Sequence, residues 1–381
     1  MNAILKKSVF LFLLMVSALV QVRAQAPATD YFLLVGTYTD TKSEGIYVYR
    51  FNPVTAKFTY VSTTKSENPS YLAISPNKKI VYAVNENGDN KGSVSSFTFS
   101  NKTGALKLVS KQPTNGSHPC FVDVDNSGKN VIATNYSSGD FVVFKANGDG
   151  SLTPAVQTIK DEGSGAVADR QEAPHVHSAQ FSPDGNFVFV ADLGNDRFYK
   201  YNFYPASPSE VLTPASPAFY SVPAGSGPRH FAFHPNRKNC YLLNELSGKL
   251  IAYNYTQGDL KEIQSIVSDK TPGENNKGCA DIHLTPNGKF LYTTNRVTSN
   301  EIVAYGVGVD GKLTEVARYK TGTHPRNFVI DPSGKFLLVA SRDSNSIVLY
   351  KINQETGKLE ETKVSLTIDK PVCLKMIRIA K

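Results

Sequence analysis

The chain of 381 residues has no tryptophan, three methionines and four cysteines. Cys120, Cys240, Cys279 and Cys373 form no CxxC pair and no closely spaced set. That spacing excludes a disulfide-stapled scaffold. Buried free thiols are the expectation, with one bridge between repeats left open. No GxSxG elbow, P-loop or dinucleotide fingerprint occurs, so a serine nucleophile, a kinase and a Rossmann oxidoreductase lose their sequence support. Basic residues never run five or six together. The 41 Lys+Arg and 33 Asp+Glu give a net charge of +8 spread along the chain, and no nucleic-acid arm is present. In their place stand 27 Gly, 21 Pro and 19 Tyr in a chain that is 40% hydrophobic. Such a chain buries a core and is built of short strands and turns.

The first residues read as an address. Lys6 and Lys7 precede an apolar run from Val9 to Val20, and Val22-Arg23-Ala24 follows with small residues at a cleavage spacing. That order is the one of a secretory signal peptide, cut after Ala24 within about two residues. The run is short for a bilayer span, and no second apolar stretch follows it. No cysteine near the cut offers a lipid anchor. The expectation is an exported chain, periplasmic in a bacterium and free of the membrane after cleavage. A cytoplasmic location follows only if residues 1–24 are no signal.

The remaining sequence repeats. Asn68-Pro69-Ser-Tyr-Leu-Ala-Ile-Ser-Pro76-Asn through Asn85-Glu86 returns at His118-Pro119, His175-Val176, Gly227-Pro228, Gly278-Cys279, His324-Pro325 and, truncated, Lys370-Pro371. The equivalent positions 69, 119, 176, 228, 279, 325 and 371 lie 50, 57, 52, 51, 46 and 46 residues apart. A period of this length with several strands per copy marks a propeller blade. The split copy takes its first strand from Val372–Ile379 and the others from Phe32–Val35, Ile46–Phe51 and Phe58–Val61, which removes the open sheet edge. The expected fold is all-β: one seven-bladed propeller over residues 30–381, with four antiparallel strands per blade.

Folding each hairpin about its Pro-Asn/Asp turn sets the start of its first strand beside the end of its second, on one rim of the channel. Here the repeats stop agreeing. After the leading residue come Ser70, Cys120, His177, Arg229, Ala280, Arg326 and Val372. The second strands end on Glu86, Tyr136, Leu193, Glu245, Arg296 and Arg342, with Thr37 or Tyr38 in the split blade. Four arginines, two glutamates and a histidine at one mouth imply a pocket for an anionic or polyhydroxylated ligand, since a guanidinium binds an oxyanion in a bidentate fork. Interblade salt bridges are the plainer role for Glu86 and Arg342. His118, His234, His283 and His324 are expected to be structural. His175 and His177, two apart, fall on one side of a strand, and no carboxylate or thiol stands at a metal-ligand spacing from them.

Leu34-Val35-Gly36-Thr37-Tyr38-Thr39, Gly45-Ile46-Tyr47, His175-Val-His177-Ser-Ala-Gln-Phe-Ser-Pro-Asp-Gly, Gly225-Ser-Gly-Pro-Arg229-His230-Phe and His324-Pro-Arg326-Asn-Phe resemble segments of the seven-bladed lactonase family. Its members, among them 6-phosphogluconolactonases and fungal carboxymuconate-lactonising enzymes, open or close lactones. The resemblance implies a lactone hydrolase of glucose metabolism that needs no cofactor and no metal. It implies catalytic roles for His177, Arg229, Glu245 and Arg296. His177 is then the general base, with His175 its substitute; Arg229 and Arg296 hold the anion or oxyanion, and Glu245 orients an arginine or hydrogen-bonds the sugar hydroxyls. His175, Arg326, Arg342 and Glu86 complete the set as substrate-binding residues, and the partner is a small anionic or sugar lactone. A binding module without chemistry and a muconate-type cyclase are the competing readings.

Overall fold

The computed structural model describes residues 30–273 and 276–379; the expected signal peptide lies outside them. Every named strand belongs to one of seven four-stranded antiparallel sheets. The first strands, Leu72–Ile74, Pro119–Val124, Val176–Phe181, Pro228–Phe233, Cys279–Leu284, Pro325–Ile330 and Pro371–Arg378, touch their neighbours in succession, and the last touches the first. They line the central channel. In the split blade Pro371–Arg378 pairs with Tyr31–Thr37 in a register that sets Leu34 opposite Lys375. The N- and C-terminal strands therefore close the ring with backbone hydrogen bonds. The seven blades, their strand count and the shared blade are those the repeat predicts.

Burial follows the layering. Second strands such as Ile80–Asn85, Asn239–Asn244 and Phe290–Asn295 are buried at every residue, because blades pack on both of their faces. Outermost strands such as Leu359–Thr367 interleave exposed with half-buried residues. The core lies between blades: Phe290, Tyr292 and Ile302 of one sheet pack with Phe328, Leu337 and Val339 of the next.

Each hairpin is fastened at its far end in the same way. The amides of Ser75, Asp125, Ser182, His234, Thr285 and Asp331 donate to the carbonyls of Ile80, Asn130, Phe187, Asn239, Phe290 and Phe336, all at 2.8–3.0 Å. At the near end the ladder breaks. The register shifts between Pro119 and Phe121, Val176 and Ser178, Pro228 and His230, Cys279 and Ile282, and Pro325 and Asn327. Cys120, His177, Arg229, Ala280 and Arg326 sit in these bulges, which release them from the pleat and re-aim them.

Candidate active site

A bulge residue, two strand ends and a connecting segment meet around one carboxylate. Glu245 Oε2 accepts from Arg229 Nη1 at 3.0 Å and from Arg296 Nη2 at 2.7 Å. Its Oε1 accepts from Arg170 Nη2 at 2.8 Å, and the same nitrogen reaches Tyr136 Oη at 3.3 Å. Arg229 is only 1% exposed, so this charge needs the counter-ion that Glu245 supplies. Its Nε donates to the carbonyl of Ala280 at 2.8 Å, which locks the guanidinium plane. Arg229 Nη1 also makes a short contact with His177 Nε2. The other ring nitrogen of His177 lies 3.7 Å from Cys120 Sγ.

A second group stands on the same rim. Tyr38 Oη donates to Glu86 at 3.0 and 3.1 Å, and Arg326 Nη2 lies 3.8 Å from Glu86 Oε2 with its guanidinium 5.6 Å from the Tyr38 ring. Arg326 has no closer carboxylate among the described residues, whereas Arg229 and Arg296 are held at hydrogen-bond distance. Arg296 Nε is buried without a partner among the described residues, a donor left open for a ligand. Arg170, Arg229, Arg296 and Arg326 face Glu245 and Glu86, so the mouth carries an excess of positive charge.

The electrostatics fix the protonation states. Burial pushes the Glu245 carboxyl up, but Arg296, Arg229 and Arg170 reverse this and hold it well below the usual carboxylate range. Burial and then Arg229 bring Arg296 down to about 9, which leaves it charged at neutral pH. Burial, Arg229 and His230 press His177 well below 6.5, so its imidazole is neutral and able to accept a proton. Burial pushes the Cys120 thiol up to about 12, so its neighbour is no thiolate.

The residues singled out in the sequence do not all converge. His177, Arg229, Glu245 and Arg296 form one contiguous cluster, and Arg326 with Glu86 flanks it. His175 precedes the inner strand. Its ring stacks on Tyr136 with centroids 4.5 Å apart, Nδ1 reaches the Tyr136 carbonyl at 2.9 Å, and Nε2 reaches Glu172 at 3.1 Å. His177 meets the same Tyr136 edge-on at 5.4 Å, but its Nε2 faces inward to Arg229, because the bulge breaks the simple alternation. Arg342 turns to its own neighbour Asp343, at 2.6 and 3.0 Å, and to His324 at 3.2 Å. His324 stands between Arg342 and Arg296, and burial together with those two arginines brings it down to about 3. In the split blade Thr37 is fully buried against Ser43 and Gly45, and Tyr38 is the residue at the mouth. All four cysteines are free and buried.

Arg170 is the functional candidate that the repeat comparison passes over. It lies on the segment between Gln157–Lys160 and Val176–Phe181, outside the aligned columns. The signal was the 57-residue spacing from 119 to 176, the longest in the chain. Those additional residues carry Arg170 back over the mouth to Glu245.

The chain matches the model of the lactonase seven-bladed β-propeller family over residues 32–376 and belongs to that family. It is 36% identical over 350 residues to a 6-phosphogluconolactonase of Formosa agariphila, covering 90% of this chain and 99% of that protein. A 6-phosphogluconolactonase of Bacillus subtilis is 36% identical over 356 residues, covering 92% and 99%. Among solved structures, the periplasmic gluconolactonase of Pseudomonas aeruginosa superposes with a TM-score of 0.88 at 33% identity, over 92% of this chain and all of that one.

Proposed function

We propose that the protein hydrolyses a sugar lactone of the 6-phosphogluconolactone type at the mouth formed by His177, Arg229, Glu245 and Arg296. The observation that carries this is a neutral histidine in contact with an arginine whose charge is balanced by a buried, ionised glutamate. The same cluster stands beside a guanidinium, Arg326, that is weakly engaged and free to take a phosphate or carboxylate.

The chemistry follows from these positions. A water oxygen attacks the lactone carbonyl carbon while His177 Nε2 takes its proton, as Arg229 shifts its hydrogen bond from the imidazole to the substrate oxygen. Negative charge collects on that oxygen and is met by Arg229 and by the unpartnered Nε of Arg296. Collapse of the tetrahedral intermediate breaks the ring C–O bond. The imidazolium returns its proton to the departing alkoxide, which leaves a hydroxy acid. Glu245 keeps both arginines in place throughout, and Arg170 and Arg326 hold the substrate's distal anion. Kinship with a periplasmic gluconolactonase, together with the signal-like residues 1–24, supports action outside the cytoplasm on an aldonolactone, with or without a phosphate.

A panel of lactones followed by pH-stat, corrected for spontaneous opening, tests the reading. Catalysed acid release from 6-phosphogluconolactone or gluconolactone is expected. Inertness toward every lactone would leave a binding module, and consumption of a carboxymuconate would mean a cyclase.

A further inference from the structure

The channel has a second mouth. Where the inner strands reach their hairpin turns, a cavity of about 520 Å³ opens, lined by Asp123, Gln180, His230, Asp281, His283 and Lys375 among others. It is separated from the lactonase mouth by a packed floor. Tyr71 stacks on Phe121 at 4.3 Å, and the His230 ring meets both edge-on at 5.9 and 5.5 Å. The bulge makes this possible: Arg229 drops out of the pairing between Pro228 and His230, while His230 stays paired with Leu243, so the two neighbours serve different layers of the channel.

The polar groups of this chamber are unevenly satisfied. Asp281 is saturated: His230 Nδ1 and His283 Nε2 each lie 2.9 Å from it, and Asn327 Nδ2 and the Phe328 amide donate to it as well. Burial lowers His230 to about 4, so the ring is neutral with its proton on Nδ1, facing Asp281. Its Nε2 is then a bare acceptor, buried with no partner among the described residues, on a residue 4% exposed. Asp123 takes the backbone amide of Phe181 at 3.3 Å, and burial raises it to about 6 against the opposing pull of the Val124 and Phe181 amides and of Lys375. Lys375 makes no hydrogen bond or salt bridge among the described residues; its ammonium rests 4.6 Å from the Tyr71 ring centroid.

A bare imidazole acceptor, a carboxylate bonded only by backbone amides and an ammonium in no hydrogen bond, against an aromatic wall, define a ligand. We propose that this chamber is a second binding site for a small hydroxy acid, whose carboxylate pairs with Lys375 and whose hydroxyls donate to His230 Nε2 and Asp123. A neutral sugar leaves the ammonium without a hydrogen-bonded anion, and a simple carboxylate leaves His230 Nε2 bare and Asp123 without a side-chain or ligand donor; each unmade bond carries a desolvation cost. The volume is that of an ordinary small-molecule site, which runs from about 300 to 1,000 Å³. The inference stands whatever the upper mouth acts on.

Calorimetric titration of the full chain with D-gluconate, D-glucose and acetate tests it. Gluconate is expected to bind more tightly than either fragment. Lys375→Met and, independently, Asp123→Asn are each expected to weaken the site by about tenfold or more. Arg326→Met, at the other mouth, should leave it intact. Absence of gluconate binding to the wild-type chain overturns the proposal. So does affinity unchanged in both lower-chamber variants, or lost only in Arg326→Met.

Discussion

The two ends of the same seven hairpins have opposite characters. At the turn end six blades repeat one backbone hydrogen bond within 0.2 Å and carry Ser, Thr, Asp or His where it begins. At the rim end the corresponding positions hold Cys120, His177, Arg229, Ala280 and Arg326, each in a bulge that frees it from the ladder. The difference separates two demands on one sequence. The turns serve the backbone and repeat because the backbone repeats. On the proposed reading the rim serves a ligand, and its seven residues differ because a lactone has no sevenfold symmetry. Variation inside a constant frame is therefore the mark of the site.

If that division holds, rim substitutions cost activity and turn substitutions cost stability. The largest effect is expected for His177→Asn, with kcat for lactone opening down by about 10²–10⁴ and KM little changed, read from initial rates. Glu245→Gln leaves Arg229 and Arg296 buried without their counter-ion. It should lower stability by about 3–5 kcal/mol in denaturant melts, and so is the rim position where the division fails by design. Arg326→Met should raise KM for a phosphorylated lactone by roughly tenfold to a hundredfold, with kcat nearly kept.

At the turn end, Asp331 accepts from the Phe336 amide at 2.7 Å and from Ser333. Asp331→Ala should cost about 1–2 kcal/mol of stability and leave kcat per folded molecule unchanged. A pH-dependent effect concerns the root of the Arg170 segment. Burial and the charge of Asp192 raise Asp161 to about 8. The folded state then keeps a proton that the unfolded chain loses near its ordinary value of 3.8. The stabilisation is complete below that value and is lost as pH rises toward about 8, with a slope of at most about 1.4 kcal/mol per pH unit. Asp161→Asn should flatten that slope in urea midpoints taken across this range.

The propeller and its split blade were legible because every turn makes the same local demand, so the period survives the drift of everything else. The four residues of the Glu245 cluster were legible for the converse reason: they break the repeat where the frame permits it. Arg170 was not, because it belongs to no aligned column and left only a lengthened spacing. Arg342 belongs to the column yet points away, since the adjacent Asp343 offers a nearer partner than the mouth does. The lower chamber was hidden by the bulges. Simple alternation assigns residues 229 and 230 to opposite faces, and only the break in register lets the two serve different layers of the channel.

The most direct test of the central claim is a crystal structure with 6-phosphogluconate bound. The account predicts the carboxylate between Arg229 and Arg296 within hydrogen-bond reach of His177, and the phosphate on Arg326 or Arg170. A product carboxylate seated away from His177, with those arginines still turned to Glu245 and Glu86 alone, would contradict it.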